Sequence, residues 1–279
     1  MKVPLHVVEA RRKRLEKLVA AHRYLPIQEV CQRLGISEAT ARRDLAELQR
    51  QGRLTRTRGG ALSDFNERFP SYNERFRRGY RSKQAMAGAV QAAIVPGGTY
   101  FLDSGTTIAY LAEALAEASP GPIRILTVNL PAAEILARHK EIEVFLTGGQ
   151  ILQRQSVLLG EAVCKSVESW HFDASFLSAE GMDAEGLWNS QLAIVAHQHA
   201  VVRRSRHNLF LLDRTKLGRK AAHFLLPWPA VDHLVTDAPR KEIAAVSPAA
   251  SRLHWHPSDP IPFSPDPPPE EADIPVHFL

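Results

Sequence analysis

The sequence is poor in the residues that build disulfide frameworks, metal centres and membrane spans. Its 279 residues include only two cysteines, Cys31 and Cys164, which lie far apart within apolar stretches. We interpret both as small core residues, since structural zinc sites use closely spaced Cys and His ligands. No apolar run approaches the length of a membrane span. We therefore expect no metal, no cofactor and no membrane partner, and a reducing cytoplasm as the compartment.

Histidine offers no alternative metal site. His197 and His199 are two positions apart on a predicted helix, so their side chains lie on different faces. His254 and His256 flank Trp255 without a nearby cysteine. Both pairs are better interpreted as structural residues than as ligands.

Positive charge is concentrated at one end of the chain. Residues 1–62 hold 14 Lys and Arg against six Asp and Glu, whereas the remainder holds 21 against 24. This asymmetry is typical of a protein in which one domain binds a polyanion and another has a different task.

Segment 36–48 combines a helix cap, an apolar stripe and a basic face. The stripe consists of Ala41, Leu45 and Leu48, at the spacing of one helical face. The exposed polar residues are Ser37, Thr40, Arg42 and Arg43. Ser37 suits the N-cap position, and short hydroxyls with guanidinium groups suit base edges and phosphates in a major groove. An arginine pair alone is as often a solvated face, so the flanking sequence decides between the two interpretations.

The flanks favour nucleic acid. Helices are predicted over 11–21 and 27–34, and Gly35 fits the left-handed turn between the two helices of a helix-turn-helix. Downstream, residues 52–62 alternate aliphatic or hydroxyl side chains with arginine, as in a β-hairpin wing that follows a phosphate backbone. The basic residues of this wing are Arg53, Arg56 and Arg58.

This N-terminal segment resembles the winged helix-turn-helix of the DeoR family of bacterial transcription regulators. The resemblance rests on the pattern Ser-x-x-Thr-x-Arg-Arg-Asp-Leu, which here begins at Ser37. Ala41 stands where the family usually carries a larger aliphatic residue, which reduces the buried apolar contribution by about 1–2 kcal/mol. The resemblance implies sequence-specific binding to double-stranded operator DNA.

The remainder alternates short apolar strands with helices. Strands are predicted over 99–102, 123–128, 143–147, 172–179, 208–212 and 231–236, the last strand of the chain, with helices between them. This order predicts an α/β fold with a doubly wound parallel sheet. We divide the chain into a winged helix-turn-helix (1–62), a linker (63–81) whose aromatics dock on the second domain, an α/β domain (82–250) and a Pro-rich disordered tail (251–279).

Polar motifs follow five successive strands, where open α/β sheets bind ligands. The candidate ligand-binding residues are Asp103, Ser104, Gly105, Thr106, Thr107, Thr127, Asn129, Gly148, Gly149, Glu180, Asp183 and Lys216. A glycine with hydroxyl residues at a helix start suits a phosphate, although it is also found in ordinary capped turns. The five loops together fit a phosphorylated sugar, with Asn129 and Asp183 on its hydroxyls and Lys216 as a second cation.

The DeoR resemblance extends over about residues 11–237 and includes these same loops. It implies a sensor domain similar in fold to ribose-phosphate isomerase, glucosamine-phosphate deaminase and CoA-transferase. It further implies a homo-oligomer, dimer or tetramer, that regulates carbohydrate genes, typically as a repressor, in response to a sugar phosphate. This sequence has Glu180 where many members of the family carry aspartate, and Gln191 and Ile194 where acidic residues are common, which leaves the sugar undetermined.

Two other functions remain open at this point. An active sugar-phosphate isomerase fused to a DNA-binding module would need a base such as Glu180 or Asp183, with Lys216 stabilising an enediolate. Ribose-phosphate isomerases, however, carry a lysine shortly after their acidic loop, and residues 183–200 contain none. A purely architectural or RNA-binding protein would leave the five polar strand ends unexplained. We therefore expect a regulator and not an enzyme.

Overall fold

The computed structural model describes residues 5–22, 24–51, 54–57, 60–63 and 71–259. It has an N-terminal region of short helices and strands and a larger region built on a parallel sheet, which confirms the predicted α/β class. No helix in these ranges is long and apolar enough to cross a membrane.

The N-terminal region is a winged helix-turn-helix. Its elements are α1 (Leu5–His22), β1 (Tyr24–Pro26), α2 (Ile27–Leu34), α3 (Glu38–Arg50), β2 (Leu54–Thr57) and β3 (Gly60–Ser63). Gly35 ends α2 in the left-handed conformation at φ 63°, which glycine adopts without steric penalty. The strands form an antiparallel sheet in the order β1-β3-β2. Strand β1, which the sequence did not predict, pairs with the wing hairpin.

The core of this region lies between the three helices. Ala41, Leu45 and Leu48 of α3 are buried together with Leu15, Val19 and Val30 of the preceding helices. The predicted apolar stripe is therefore confirmed, and its burial directs the opposite face of α3 outward.

The second region begins with two helices, α4 (Tyr72–Arg77) and α5 (Tyr80–Gln91). Its further helices are α6 (Thr106–Ala118), α7 (Leu130–Leu136), α8 (Glu161–Glu168), α9 (Leu192–Arg203), α10 (Arg240–Val246) and α11 (Pro248–Arg252). Its strands are β4 (Thr99–Leu102), β5 (Ile123–Thr127), β6 (Ile142–Leu146), β7 (Gln150–Leu152), β8 (Val157–Leu159), β9 (Phe172–Leu177), β10 (Gly181–Met182), β11 (Gly186–Asn189), β12 (Ser205–Leu211), β13 (His223–Pro227), β14 (His233–Val235) and β15 (His254–Trp255).

Seven of these strands form one parallel sheet in the order β15-β14-β12-β9-β4-β5-β6. From β4 the chain first adds strands on one side and, from β9 onward, on the other. The strand order therefore reverses between β4 and β9, and ligands of open α/β sheets bind in the crevice at such a switch point. Separate apolar clusters cover the two faces of the sheet.

Several elements differ from the sequence-based prediction. Residues 231–236 do not hold the last strand, because β15 pairs with β14 and buries Trp255. The α/β region therefore extends beyond residue 250, and residues 260–279 of the predicted tail lie outside the described residues. Strands β10, β11 and β13 form a small antiparallel sheet, and β7 and β8 form a hairpin. These strands are too short for an alternation of apolar and polar residues to be recognised in the sequence.

The predicted linker also contains structure. Ser71 is the N-cap of helix α4 and forms a capping box with Glu74. Phe76 of α4 stacks on Tyr110 of α6, with ring centroids 4.3 Å apart and an interplanar angle of 6°. Docking of linker aromatics on the second region is confirmed at this contact. Residues 64–70 lie outside the described residues.

Candidate functional site

The start of α3 presents hydroxyl groups at its N-terminus. The Ser37 hydroxyl accepts the backbone N–H of Thr40 at 3.3 Å and lies 2.9 Å from the Thr40 hydroxyl. Ser37 is therefore the N-cap that the sequence predicts. The cap leaves other first-turn amides of the helix directed outward, where phosphate oxygens can accept from them.

The arginines of α3 are exposed but differ in their surroundings. Arg42 forms an ion pair with Glu38 one turn earlier, at 2.5 Å. Arg43 is exposed and has no ion pair with any residue in the described ranges. A guanidinium without an intramolecular partner can form a bidentate contact without first breaking one.

Asp44 has the opposite role on the inner side of α3. Its buried carboxylate accepts from Arg11 at 2.5 Å and from Arg12 at 3.0 Å, and both arginines belong to α1. These contacts fix the orientation of α3 relative to α1. The wing residues cannot be placed in the same way, since Arg53 and Arg58 lie outside the described residues, as does the side chain of Arg56.

The second candidate site lies at the switch point of the sheet. Gly105 begins α6 with φ 111° and no side-chain cap, so first-turn amides of a 13-residue helix have no capping group. A Cβ at Gly105 would lie 2.6 Å from the Ser178 hydroxyl. Ser178, after β9, donates that hydroxyl to the carbonyl of Ser104 at 2.8 Å. The loops after β4 and β9 are thus joined across the crevice, and an uncapped helix N-terminus opens into it.

Two predicted ligand residues are engaged inside the protein. The Thr127 hydroxyl donates to the Leu102 carbonyl at 2.6 Å, and the Asn129 amide donates to the Gly105 carbonyl at 3.0 Å. The Asn129 carbonyl oxygen caps α7 at Ala132. Both side chains are buried, so they brace the loop around Gly105.

The two glycines after β6 border the same edge of the sheet. Gly148 and Gly149 are exposed, and Gly149 adopts φ 132°. A Cβ at Gly149 would lie 2.6 Å from the Leu159 carbonyl oxygen. Glycine is therefore required for the close approach of this turn to β8.

The acidic and basic residues after β9 and β12 also meet. The Lys216 ammonium lies 3.9 Å from the Glu180 carboxylate, and both side chains are about a fifth to a quarter exposed. The backbone N–H of Arg219 donates to the Met182 carbonyl at 3.2 Å, which holds the two loops together.

Asp183 is largely occupied by its neighbours. One carboxylate oxygen accepts the Trp188 indole N–H at 2.8 Å and the Glu185 backbone N–H at 2.9 Å. The other lies 3.3 Å from the Lys220 ammonium, which also lies 4.7 Å from the centre of the Trp188 ring. Asp183 thus stabilises a turn of the small antiparallel sheet, and sequence reasoning missed Lys220 as its partner.

Sequence reasoning also missed Lys83 of α5. Lys83 is buried, and its ammonium donates to the carbonyl of Arg75 at 2.5 Å. Burial lowers the pKa of Lys83 to about 8, with the carboxylate of Asp213 opposing the shift and Lys216 adding to it. A signal was available in the sequence, because Lys83 shares the helical stripe of Met86, Ala87 and Val90.

Helix α9 carries two histidines, His197 and His199, which are two positions apart. They have different partners, as this spacing predicts. His197 Nε2 lies 2.9 Å from Asp103, and His199 Nε2 lies 2.6 Å from the Leu225 carbonyl. No group of three potential metal ligands occurs within the described ranges.

Comparisons with known proteins match both regions of the chain. The DeoR-like helix-turn-helix domain matches residues 11–67, and the DeoR C terminal sensor domain matches residues 78–238. The glycerol-3-phosphate regulon repressor of Escherichia coli (strain K12) is 31% identical over 224 residues, which cover 80% of this chain and 88% of that protein. The lactose phosphotransferase system repressor of Streptococcus mutans is 30% identical over 233 residues, with 82% and 92% covered.

One solved structure to which this chain is similar is ribose 5 phosphate isomerase A from Neisseria gonorrhoeae. It is 15% identical, covers 48% of this chain and 52% of its own, and has a TM-score of 0.36.

The two matching family models and the fold define a DNA-binding transcription regulator with an α/β sensor domain. The chain belongs to the DeoR family.

Proposed function

We propose that this protein represses carbohydrate-metabolism genes and that a phosphorylated sugar or related metabolite controls it. In this proposal a cytoplasmic homo-oligomer binds repeated half-sites of an operator through Ser37, Thr40, Arg42 and Arg43, with the wing arginines on the phosphate backbone. The names of the two relatives support this class of target, since one represses a glycerol-3-phosphate regulon and the other a lactose phosphotransferase system.

The observation that carries the effector proposal is the uncapped N-terminus of α6 at the switch point. Its backbone amides, with the hydroxyls of Ser104, Thr106 and Thr107, suit a phosphate. Lys216 adds positive charge in the loop after β12, and the buried ammonium of Lys83 on α5 interacts electrostatically with it. Asp103, Thr127 and Asn129 act in this proposal through the shape of the loop, while Gly148, Gly149, Glu180 and Asp183 border the pocket.

The same geometry supports sensing over isomerisation. A general base must reach a substrate carbon with a free carboxylate, whereas Asp183 already accepts from Trp188 and pairs with Lys220. Glu180 lies within 3.9 Å of Lys216, so its negative charge is partly compensated. We therefore assign no catalytic residue.

Helix α4 is the element we propose to connect effector and DNA. Two carbonyls at its C-terminal end accept from the sensor domain, Arg75 from Lys83 and Phe76 from the Tyr110 hydroxyl at 3.1 Å. Lys83 responds electrostatically to Asp213 and Lys216, and Tyr110 lies on the helix whose N-terminus faces the crevice. Binding that changes these contacts would bias the position of α4, and such coupling must be reciprocal.

The test compares sugar phosphates with their parent sugars by thermal shift and calorimetry. Glycerol 3-phosphate with glycerol, and glucose 6-phosphate with glucose, are suitable first pairs. We expect stabilisation by an ester and none by its parent, because each lost charge-assisted hydrogen bond is worth about 1.5–3 kcal/mol. Equal stabilisation by both members of a pair would contradict a phosphate site, and turnover in an isomerase assay would contradict the assignment as a sensor.

A further inference from the structure

The carboxylate of Asp103, the first residue after β4, points into the protein and not into the crevice. It is fully buried. One oxygen accepts the Ser178 backbone N–H at 3.1 Å and the Gln198 side-chain amide at 2.6 Å, and the other lies 2.9 Å from His197 Nε2. Two of its three donors therefore come from adjacent residues of α9.

Gln198 connects more than one loop of the pocket. Its amide nitrogen also donates to the Ser178 carbonyl at 2.6 Å, and its carbonyl oxygen accepts from Asn189 at 3.2 Å. One buried side chain thus links the residue after β4, the residue after β9 and the end of β11. The loops that form the switch-point crevice share a single brace on α9.

His197 is the second side chain of this brace, and its surroundings define which ring nitrogen carries the proton. Its side chain is fully buried, and Nδ1 has no hydrogen-bond partner within the described ranges, whereas Nε2 faces the Asp103 carboxylate. A proton on Nε2 satisfies the carboxylate, while a proton on Nδ1 would be buried without an acceptor. The geometry thus favours the Nε2–H tautomer, which donates to Asp103.

We propose that His197 and Gln198 are positioning residues of the effector pocket, which hold Asp103 and Ser178 so that the loop 104–107 keeps its anion-binding form. This inference rests on the proposed function. Neither side chain touches the ligand in this arrangement. They act through Asp103, whose carbonyl accepts from Asn129, and through Ser178, whose hydroxyl donates to Ser104.

The charge of Asp103 gives this brace a direct electrostatic consequence. A buried carboxylate beneath a loop that binds an anion opposes that anion unless hydrogen-bond donors compensate its charge. Removing the His197 donor leaves more of that charge uncompensated and frees the loop to move. Both effects weaken the binding of phosphate.

Two histidines on the same helix provide a matched experiment. His197→Leu removes the donor to Asp103, and His199→Leu removes a comparable bond, to the Leu225 carbonyl of β13. Binding of inorganic phosphate to the full chain is measured by calorimetry, and hydrogen exchange of the amides 104–107 reports the loop itself. We expect His197→Leu to weaken phosphate binding roughly ten- to a hundredfold and to speed exchange, because hydrogen bonds to charged groups have that magnitude. His199→Leu should leave both measurements near those of the wild type.

A second pair of variants distinguishes the loss of this positioning contact from a general loss of folding. In His197→Gln the side-chain amide reaches the former position of Nε2, whereas in His197→Asn it is too short to do so. If His197 acts by positioning Asp103, the Gln variant should retain most of the affinity for phosphate and the Asn variant should not. Equal phosphate affinity in His197→Asn, His197→Gln and the wild type would overturn the inference alone. Absence of phosphate binding to the wild type would overturn the proposed function and this inference with it.

Discussion

Within the described ranges, each region of the protein buries one aspartate, and the two are held in different ways. Asp44 in the DNA-binding region is 1% exposed and pairs with Arg11 and Arg12, whose side chains are about a quarter exposed. Asp103 in the sensor region is fully buried, and it contacts the Ser178 backbone N–H and the side chains of Gln198 and His197, with no lysine or arginine among these partners.

The difference follows from what each region has to bind. A domain that binds DNA carries excess positive charge, so surface arginines are available to hold its buried carboxylate. The sensor domain, which we propose to bind an anion, instead holds Asp103 with side chains of α9 and not with lysine or arginine. The stability of the Asp44 arrangement therefore depends on ion pairs with partly exposed arginines. The stability of the Asp103 arrangement depends on hydrogen bonds within a packed interior.

The largest expected effect is a difference in stability between the two alanine variants. Asp103→Ala leaves buried donors without an acceptor, at about 1–3 kcal/mol each, so unfolding should become easier by about 3 kcal/mol or more. Asp44→Ala should cost only about 1.5–3 kcal/mol, because Arg11 and Arg12 can turn to water. Urea unfolding of both variants measures this difference. Equal losses in the free energy of unfolding would contradict the view that the two aspartates are held in different ways.

The next comparison separates base contacts from phosphate contacts on DNA. Arg43→Ala should weaken operator binding by about 1–3 kcal/mol while leaving phosphate-ester binding unchanged. Arg58→Ala serves as the matched variant, and it should weaken binding to all sequences and reduce the salt slope by about 1. Titrations of operator and unrelated DNA at several salt concentrations distinguish the two. Unchanged operator affinity in a folded Arg43→Ala protein would contradict the assignment of α3 as the recognition helix.

A third variant tests whether the two regions divide their tasks. Lys216→Ala should keep operator affinity near that of the wild type but lose most of the response to the effector, because one charged contact of about 1.5–3 kcal/mol is removed. The measurement is operator affinity with and without the sugar phosphate that stabilises the wild type. A variant that lost basal DNA binding yet kept the full response would contradict this division.

A further prediction concerns a pH dependence of stability that comes from Lys83. Its pKa falls from an ordinary 10.5 to about 8 through burial, so between these values the unfolded chain carries a proton that the folded chain has released. Stability should therefore rise with pH from about 8 to about 10.5 through this residue. Burial raises the pKa of Tyr72, Tyr100 and Tyr110, which lowers stability as pH passes 10. The difference between wild type and Lys83→Met cancels these tyrosines, and a difference that did not change with pH would contradict the shift.

Prediction from the sequence worked best where a pattern repeats along one element. The bounds of α2 and the cap at Ser37 follow from local turn chemistry, and β4 and α6 follow from an apolar strand ending at Asp103-Ser104-Gly105. It failed for β1, β11 and β15, strands of two to four residues whose hydrogen bonds come in part from a strand distant in the sequence, and for β10, which has only two residues. Strands this short have too few residues to show a period.

The features of the candidate site likewise fall into those that the sequence predicted and those that only the tertiary structure showed. Sequence alone determined that Gly105 opens a helix after a strand and that Lys216 follows another, because residue type and order fix those features. Only the tertiary structure decided that Asp103 turns away from the crevice to α9, that Asp183 is taken up by Trp188 and Lys220, and that Lys83 lies buried against the carbonyl of Arg75. These outcomes depend on which partner lies within about 3 Å of a buried polar atom. Residues 94 positions apart, such as Asp103 and His197, meet only once the sheet and its helices have packed.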